Sequence, residues 1–361
     1  MANRRNDVST AVPLTIIGAG SIGQRHIGVA QSCAAVDLVC VVEPDDTLRA
    51  TLAQQGLPMV ANIDAAPADT RAAIIATPTQ DHADSTLMCF DKGWSVLVEK
   101  PTAHTLDAAN DLVQRATAQG LPFFTGHHRR CHPFTIAARN ALSELGDLVG
   151  VQGLWSLRKH ASYYDAPWRR APGAGPLMTN LSHEVDLLHF LVGEITEVTT
   201  LLSSASRNLV IEDTASMAFR FAQGALGSVL MSDAGASPWS FESGSYENPA
   251  IAGSGEDYLR FTGTKGALAF PSLTRWGRCD AAEIEWSKPL LRHDAPDFTK
   301  VDPIKEQLIR FAHVANGGED DVICSGAEGV KALEITLAAA LSGRNGHPVR
   351  QGDVPGKFTG I

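Results

Sequence analysis

From residue 12 to 125, short uninterrupted apolar runs alternate with longer stretches whose apolar residues recur at helical spacing. The runs fall at 12–17, 38–42, 72–76, 96–98 and 122–125, and the helical stretches at 21–32, 47–55, 81–91 and 106–119. An apolar run without alternation is a strand covered on both faces. Such strands with helices between them predict a parallel, doubly wound α/β sheet, because parallel neighbours need a crossover. After Gly126 the rhythm changes. Longer strand candidates follow at 150–157, 197–204, 214–220, 225–232, 258–263 and 267–270, mostly with no helix between them. They predict an α+β domain with a large, mostly antiparallel open sheet. Helices are expected at 133–144, 176–191, 304–315 and 326–342, and the Gly-, Ser- and Pro-rich stretch 234–256 as a loop. The expected domains are therefore 12–126 and 127–361, after a disordered polar tail at 1–11.

The length of 361 residues agrees with two domains at roughly 150 residues each. Thirty Lys and Arg against forty Asp and Glu give a net charge of −10, which lacks the footprint of a general nucleic-acid binder. A local arginine cluster still leaves room for a small anion. The six cysteines, at 33, 40, 89, 131, 279 and 324, form no C-x-x-C, so scattered thiols in a reducing compartment are expected. No stretch reads as a signal peptide or a membrane span, and a cytoplasmic location with no membrane partner follows as the expectation.

The first strand runs into Gly18-Ala19-Gly20-Ser21-Ile22-Gly23, a G-x-G-x-x-G between strand and helix. Gly18 permits the tight turn, Gly20 lets the backbone approach a pyrophosphate, and Gly23 lets the helix pack on the strand. The phosphates would then sit at a helix N-terminus, over Ser21 and Ile22. This is the pattern of a Rossmann dinucleotide-binding domain. Glu43 ends the second apolar run, twenty residues after Gly23, where a carboxylate can accept from the adenosine ribose hydroxyls. A carboxylate there repels a 2′-phosphate, so NAD is favoured over NADP. Arg25 and Arg49 stand nearby as possible 2′-phosphate ligands, and a plain solvated loop acid is the alternative for Glu43.

Further motifs follow in order: Ala76-Thr77-Pro78 with His82, then Glu99-Lys100-Pro101, then the segment GAGPLMTNLSHEVDLLHFLVG over 173–193. The glycine fingerprint, T-P-x-x-x-H, E-K-P and the Gly-rich segment with a later histidine together resemble the Gfo/Idh/MocA oxidoreductases. That family includes glucose–fructose oxidoreductase and inositol dehydrogenases. The resemblance covers residues 12 to about 350. It implies that Lys100 points at the nicotinamide and that Pro101 follows a cis bond. It implies that Thr77 and Pro78 border the dinucleotide, with Glu99 and His82 in the same cofactor set, although His82 also reads as structural. His183 matches the histidine that serves as acid or base. One position departs: where many members have an Asp four residues before that histidine, Thr179 stands here, with Asn180 beside it. Both share the histidine's helical face. A neutral side chain can orient a hydroxyl but cannot raise the pKa of His183. Lys100 and His183 remain the proton-handling candidates.

His127, His128, Arg129 and Arg130 follow the domain junction, and Tyr163, Tyr164, Trp168, Arg169 and Arg170 precede the GAG segment. Their location suggests a substrate cleft, and arginines there can hold a carboxylate by bidentate bonds. Solvated linker charge or ordinary rim packing is the alternative for each. The H-H-R-R-C-H run lacks the spacing of a zinc site, so no metal is expected. The implied function is reversible oxidation of a secondary alcohol on a sugar, sugar acid, cyclitol or dihydrodiol. The rivals are an NAD-retaining glycosidase or isomerase working by transient oxidation, and a non-catalytic sensor on the same fold. The resemblance also implies a homodimer or homotetramer.

Overall fold

The computed structural model describes residues 11–248, 250–278, 284–295 and 301–361. The expected tail, but for residue 11, and Cys279 lie outside the described residues. The chain forms two compact units, residues 1–131 with 303–330 and residues 132–302 with 331–361.

The first unit holds β1 (Val12–Ile17), α1 (Ser21–Gln31), β2 (Val36–Val42), α2 (Asp46–Gln54), β3 (Met59–Val60), β4 (Ala72–Ile75), α3 (His82–Asp91), β5 (Ser95–Val98), α4 (Leu106–Gln119) and β6 (Phe123–Thr125). The strands run parallel in the order β3-β2-β1-β4-β5-β6. The order reverses at β1, and the crevice beyond the carboxyl ends of β1 and β4 is where such sheets bind ligands. The side chains of β1, β4 and β5 are nearly all buried, as their unbroken apolar runs require. α4 is bounded by its own sequence. The Thr105 hydroxyl accepts from the Ala108 amide at 3.3 Å, and Gly120 closes the helix at φ 64°. The two-residue β3 carries too little pattern to be foreseen.

The second unit opens with α5 (Pro133–Leu142) and β7 (Leu148–Ser156), followed by α6 (Pro176–Leu191), β8 (Ile195–Ser203), β9 (Thr214–Phe221) and β10 (Leu226–Ser232). Then come α7 (Phe241–Ser245), β11 (Leu259–Gly263), β12 (Gly266–Phe270), β13 (Arg275–Gly277) and β14 (Leu291–His293). Its sheet has the order β14-β13-β12-β11-β7-β10-β9-β8, and β15 (Val349–Arg350) closes it beside β8. Among the described pairs only β7 with β10 is parallel. β9 alternates buried and exposed residues, as a sheet with one covered face demands. The stretch expected as loop contains α7, started by the Ser240 hydroxyl accepting from the Ser243 amide at 3.0 Å.

The boundary differs from the expectation. α8 (Pro303–Ala315) belongs to the first unit, and the second unit does not run unbroken from 127 to 361. Ile304, Leu308, Phe311 and Ala312 join the core built from Val12, Leu14, Ile27 and Val29. Periodicity reveals an apolar face but not which sheet it will cover. The final helix, α9 (Gly326–Asn345), begins with a capping box. Ser325 Oγ receives the Glu328 amide at 3.3 Å, and Glu328 Oε2 receives the Ser325 amide at 2.9 Å.

Candidate active site

At the end of β1, Gly18 adopts φ 93°, and a Cβ there would stand 2.6 Å from the Ala76 carbonyl oxygen. A Cβ on Gly23 would stand 2.1 Å from the Gly18 carbonyl oxygen. These glycines are sterically compelled. Gly20 is different: nothing lies within 4 Å of a Cβ built there, so its face is open for a ligand to approach. It is the N-cap of α1, with no side-chain cap and no acidic residue in the first turn. The first amides of α1 therefore remain able to receive an anion, over Ser21 and Ile22.

Glu43 is 8% exposed and fixed by main chain. Its Oε2 accepts from the Ala19 amide and its Oε1 from the Asp45 amide, both at 2.9 Å. This is a positioned carboxylate at the end of β2, not a solvated loop acid. Arg49 is occupied by the Glu43 carbonyl at 2.9 Å, the Pro44 carbonyl at 3.0 Å and the Asp46 carboxylate. It therefore does not stand ready for a 2′-phosphate.

After β4 and β5 come the two turns bearing Thr77, Pro78, Glu99, Lys100 and Pro101. The Lys100–Pro101 bond is cis, as the resemblance implied. His82 is 1% exposed and braces the two turns, with Nδ1 2.8 Å from the Pro101 carbonyl and Nε2 3.0 Å from that of Thr77. Burial lowers its pKa, against the pull of those two carbonyls. Glu99 faces inward. Its Oε1 lies 2.7 Å from His26 Nε2, and its Oε2 accepts from the Lys100 amide at 3.1 Å. Burial pushes this carboxyl up, but the His26 hydrogen bond and charge, with His128 and Lys100, outweigh it and hold it at about 2. Glu99 thus anchors the Lys100 turn to α1 through its carboxylate. His26, on the dinucleotide helix itself, was not singled out in the sequence. Its i+3 step beyond Gly23 was the available signal.

The basic run after β6 is not a solvated linker. Arg129 and Arg130 are 2% and 1% exposed. Arg130 Nη1 pairs with Glu328 Oε1 at 2.6 Å, and His128 contributes its charge to Glu99. Among the described residues no cluster of His, Cys, Asp and Glu could hold a metal.

In the second unit, α6 carries Thr179, Asn180 and His183, all half-buried. Gly175 caps the helix and Pro176 begins it. The Leu177 amide donates to Glu212 Oε1 at 2.9 Å, and a Cβ on Gly175 would stand 2.1 Å from that same oxygen. Burial raises the Glu212 pKa. Glu212 was missed in the sequence, since it reaches α6 from the loop before β9 with no motif around it. Thr179 Oγ1 lies 2.9 Å from both the Gly175 carbonyl and Asn180 Oδ1, so its hydroxyl hydrogen is shared within the helix. On the loop leading to α6, Trp168 is 62% exposed and Arg169 donates to the Tyr163 carbonyl at 3.0 Å. The first unit thus gathers the cofactor candidates, and the second gathers Trp168, Arg169, Thr179, Asn180 and His183.

Two family models match. Residues 13–127 fit the oxidoreductase family, NAD-binding Rossmann fold, and residues 136–269 fit the GFO/IDH/MocA C-terminal domain. The chain belongs to the Gfo/Idh/MocA oxidoreductase family. Its NAD-binding Rossmann domain agrees with the open Gly20 face and the anchored Glu43. Among curated members, 4-carboxy-2-hydroxymuconate-6-semialdehyde dehydrogenase of Sphingobium sp. is 25% identical over 61% of this chain and 71% of its own length. Inositol 2-dehydrogenase of Pseudarthrobacter chlorophenolicus is 30% identical over 54% of this chain and 58% of its own length. The chain therefore matches little more than half of the latter. The solved WlbA dehydrogenase of Bordetella pertussis, in complex with NADH and UDP-GlcNAcA, shares the fold. It aligns at TM-score 0.70 and 23% identity, over 94% of this chain and 98% of that one. Among the described residues no helix is long and apolar enough to cross a membrane.

Proposed function

We propose that this Gfo/Idh/MocA protein is an NAD-dependent dehydrogenase oxidising a secondary alcohol of a polyhydroxylated substrate to a ketone. The substrate class comprises sugars, sugar acids, cyclitols and dihydrodiols. The observation that carries the reading is the carboxylate of Glu43, held by two main-chain amides beside the open glycine turn. A buried carboxylate there selects a ribose 2′-hydroxyl over a 2′-phosphate, hence NAD. NAD, when bound, takes the hydride from the alcohol carbon. The chain's residues supply the rest. Lys100, on a turn braced by His82 and Glu99, places a cation against the developing alkoxide. His183 takes the hydroxyl proton as the general base. Thr179 and Asn180 orient the substrate's hydroxyls from the turn before it. Supporting the class are relatives named for inositol and a neighbour solved with NADH and UDP-GlcNAcA. The open face of the nine-stranded sheet, with Val149, Leu226 and Leu230 exposed, suits assembly into a homodimer or homotetramer.

The test incubates the purified protein with NAD and a panel of sugars, sugar acids, cyclitols and dihydrodiols. NADH absorbance and product mass are read together. NADH rising with a product two hydrogens lighter is the expected result. Product without net NADH would replace the dehydrogenase with a redox-cycling glycosidase or isomerase.

A further inference from the structure

Resting on the dehydrogenase reading, we propose that Glu212 is the positioning residue for the first turn of α6, which carries the candidate substrate contacts, and that residue 175 is glycine so that the Glu212 carboxylate can enter. Gly175, at the N-cap, brings no side chain to the orphan amides of the helix, and the first turn contains no acidic residue. Glu212 does from 35 positions away what a capping side chain does locally. Its Oε1 receives the amide of Leu177, the second residue of the helix, at 2.9 Å. A carboxylate at this end also suits the helix dipole. The fit is close. A Cβ on residue 175 would stand 2.1 Å from Oε1, 2.2 Å from the carboxyl carbon and 2.4 Å from Oε2. The backbone at Gly175 is ordinary, with φ −70°, so space and not conformation demands glycine there.

Glu212 is itself held from both sides. Ile211 packs with Tyr164 and Ala174. Asp213, 1% exposed, receives the Ser206 and Arg207 amides at 3.0 and 2.9 Å, and its own amide donates to the Ser203 carbonyl at 2.9 Å. The carboxylate therefore approaches α6 from a fixed loop. Its influence reaches the candidate substrate residues through Gly175. The Gly175 carbonyl receives both the Thr179 amide, at 3.1 Å, and the Thr179 hydroxyl, at 2.9 Å. Thr179 Oγ1 in turn meets Asn180 Oδ1 at 2.9 Å. A shift of Gly175 or Leu177 thus re-aims Thr179 and Asn180. His183 lies a further turn along, where the helix's own hydrogen bonds hold it and end effects have faded. Glu212 accordingly governs substrate affinity more than proton transfer.

The test combines residue-resolved amide hydrogen exchange with steady-state kinetics, using NAD and the fastest of myo-inositol, D-glucose, D-glucuronate and a cis-dihydrodiol. Glu212→Ala should speed exchange at the Leu177 amide at least about tenfold and leave residues 184–191 unchanged. KM for the alcohol should rise about tenfold while kcat stays within about threefold. Glu212→Gln keeps an acceptor and should recover most of both losses. Gly175→Ala drives the carboxylate out and should reproduce Glu212→Ala. The double variant should then fall no more than about twofold beyond either single one, because both remove the same contact. NADH affinity, measured by fluorescence on each variant, reports that the fold is intact. An unchanged Leu177 exchange rate in Glu212→Ala overturns the proposal. So does an unchanged KM, or a double variant whose losses simply add. The two readings fail separately. No NADH from any of the alcohols, with Leu177 exchange still accelerated, would remove the dehydrogenase and leave Glu212 as the residue that holds the turn. Turnover with an unchanged KM in Glu212→Ala would do the reverse.

Discussion

The cofactor edge of the first unit and the α6 region of the second are built by different means. The glycine turn and Glu43 rely on main chain and on nearby residues, although the Lys100 turn is tied back to α1 by the longer-range His26–Glu99 contact. Gly18, Gly20 and Gly23 shape one turn, and Glu43 reaches the Ala19 amide across only 24 positions. Around α6 the contacts named above are made by side chains that reach across longer stretches of sequence. Glu212 meets Leu177 across 35 positions, and Tyr164 meets Asp233 across 69. A dinucleotide's pyrophosphate and ribose are fixed chemistry, so a local backbone solution serves. On the proposed reading the α6 region meets a substrate that has no such fixed chemistry, and loops are where specificity usually resides.

The largest effect expected from this contrast is at Gly23. In Gly23→Ala the new Cβ meets the Gly18 carbonyl oxygen at 2.1 Å, and α1 must shift. NADH affinity, by fluorescence titration, should fall more than about a hundredfold, with a lower melting temperature. Gly20→Ala sharpens the point: its Cβ meets no protein atom, so melting should hold while NADH affinity still drops. Equal melting losses in the two variants would contradict the assignment of the open face to the ligand.

Next comes the α6 side. His183→Ala should lower kcat by roughly 10²–10⁴-fold if it transfers the proton. NADH affinity should stay constant, because the proposed cofactor contacts lie in the first unit. Near-normal turnover would remove His183 from that role. Glu43→Ala should then cost about ten- to a hundredfold in NAD affinity and narrow the preference over NADP, as paired titrations would reveal. Retained discrimination would return Glu43 to a purely structural part.

The smallest effect concerns pH. Burial lowers the His82 pKa below its ordinary 6.5, so below that pH the unfolded ring binds a proton that the folded one refuses. Stability from this group is therefore complete above about pH 6.5 and declines as pH falls, by at most about 1.4 kcal/mol per pH unit. Urea midpoints at pH 7, 6 and 5 should show a shallower decline in His82→Gln than in the natural chain. Identical slopes would exclude His82 as the source.

Much of the fold was legible. The strand 12–17 and the helices 106–119 and 176–191 appear with the bounds their periodicity predicts. Legibility failed where the signal was short or the partner distant. β3 has two residues, and α7 lies in a Gly- and Ser-rich stretch. The charged run at 127–132 suggested a substrate cleft, with solvated linker charge as the alternative, yet Arg130 is buried against Glu328, 198 positions away. No local pattern announces such a pair.

The sequence by itself determined the layered α/β rhythm, the glycine turn and the carboxylate after β2, because sterics and side-chain period act within a few residues. Tertiary structure alone decided that α8 returns to the first core and that Glu99 turns inward to His26. It also decided that Glu212 receives the Leu177 amide of α6 and that Asp233 is shared by Lys159 and Arg207. Those outcomes depend on which distant surfaces meet when the chain closes on itself, and an unpaired buried charge is tolerated only where a partner arrives from elsewhere in the fold.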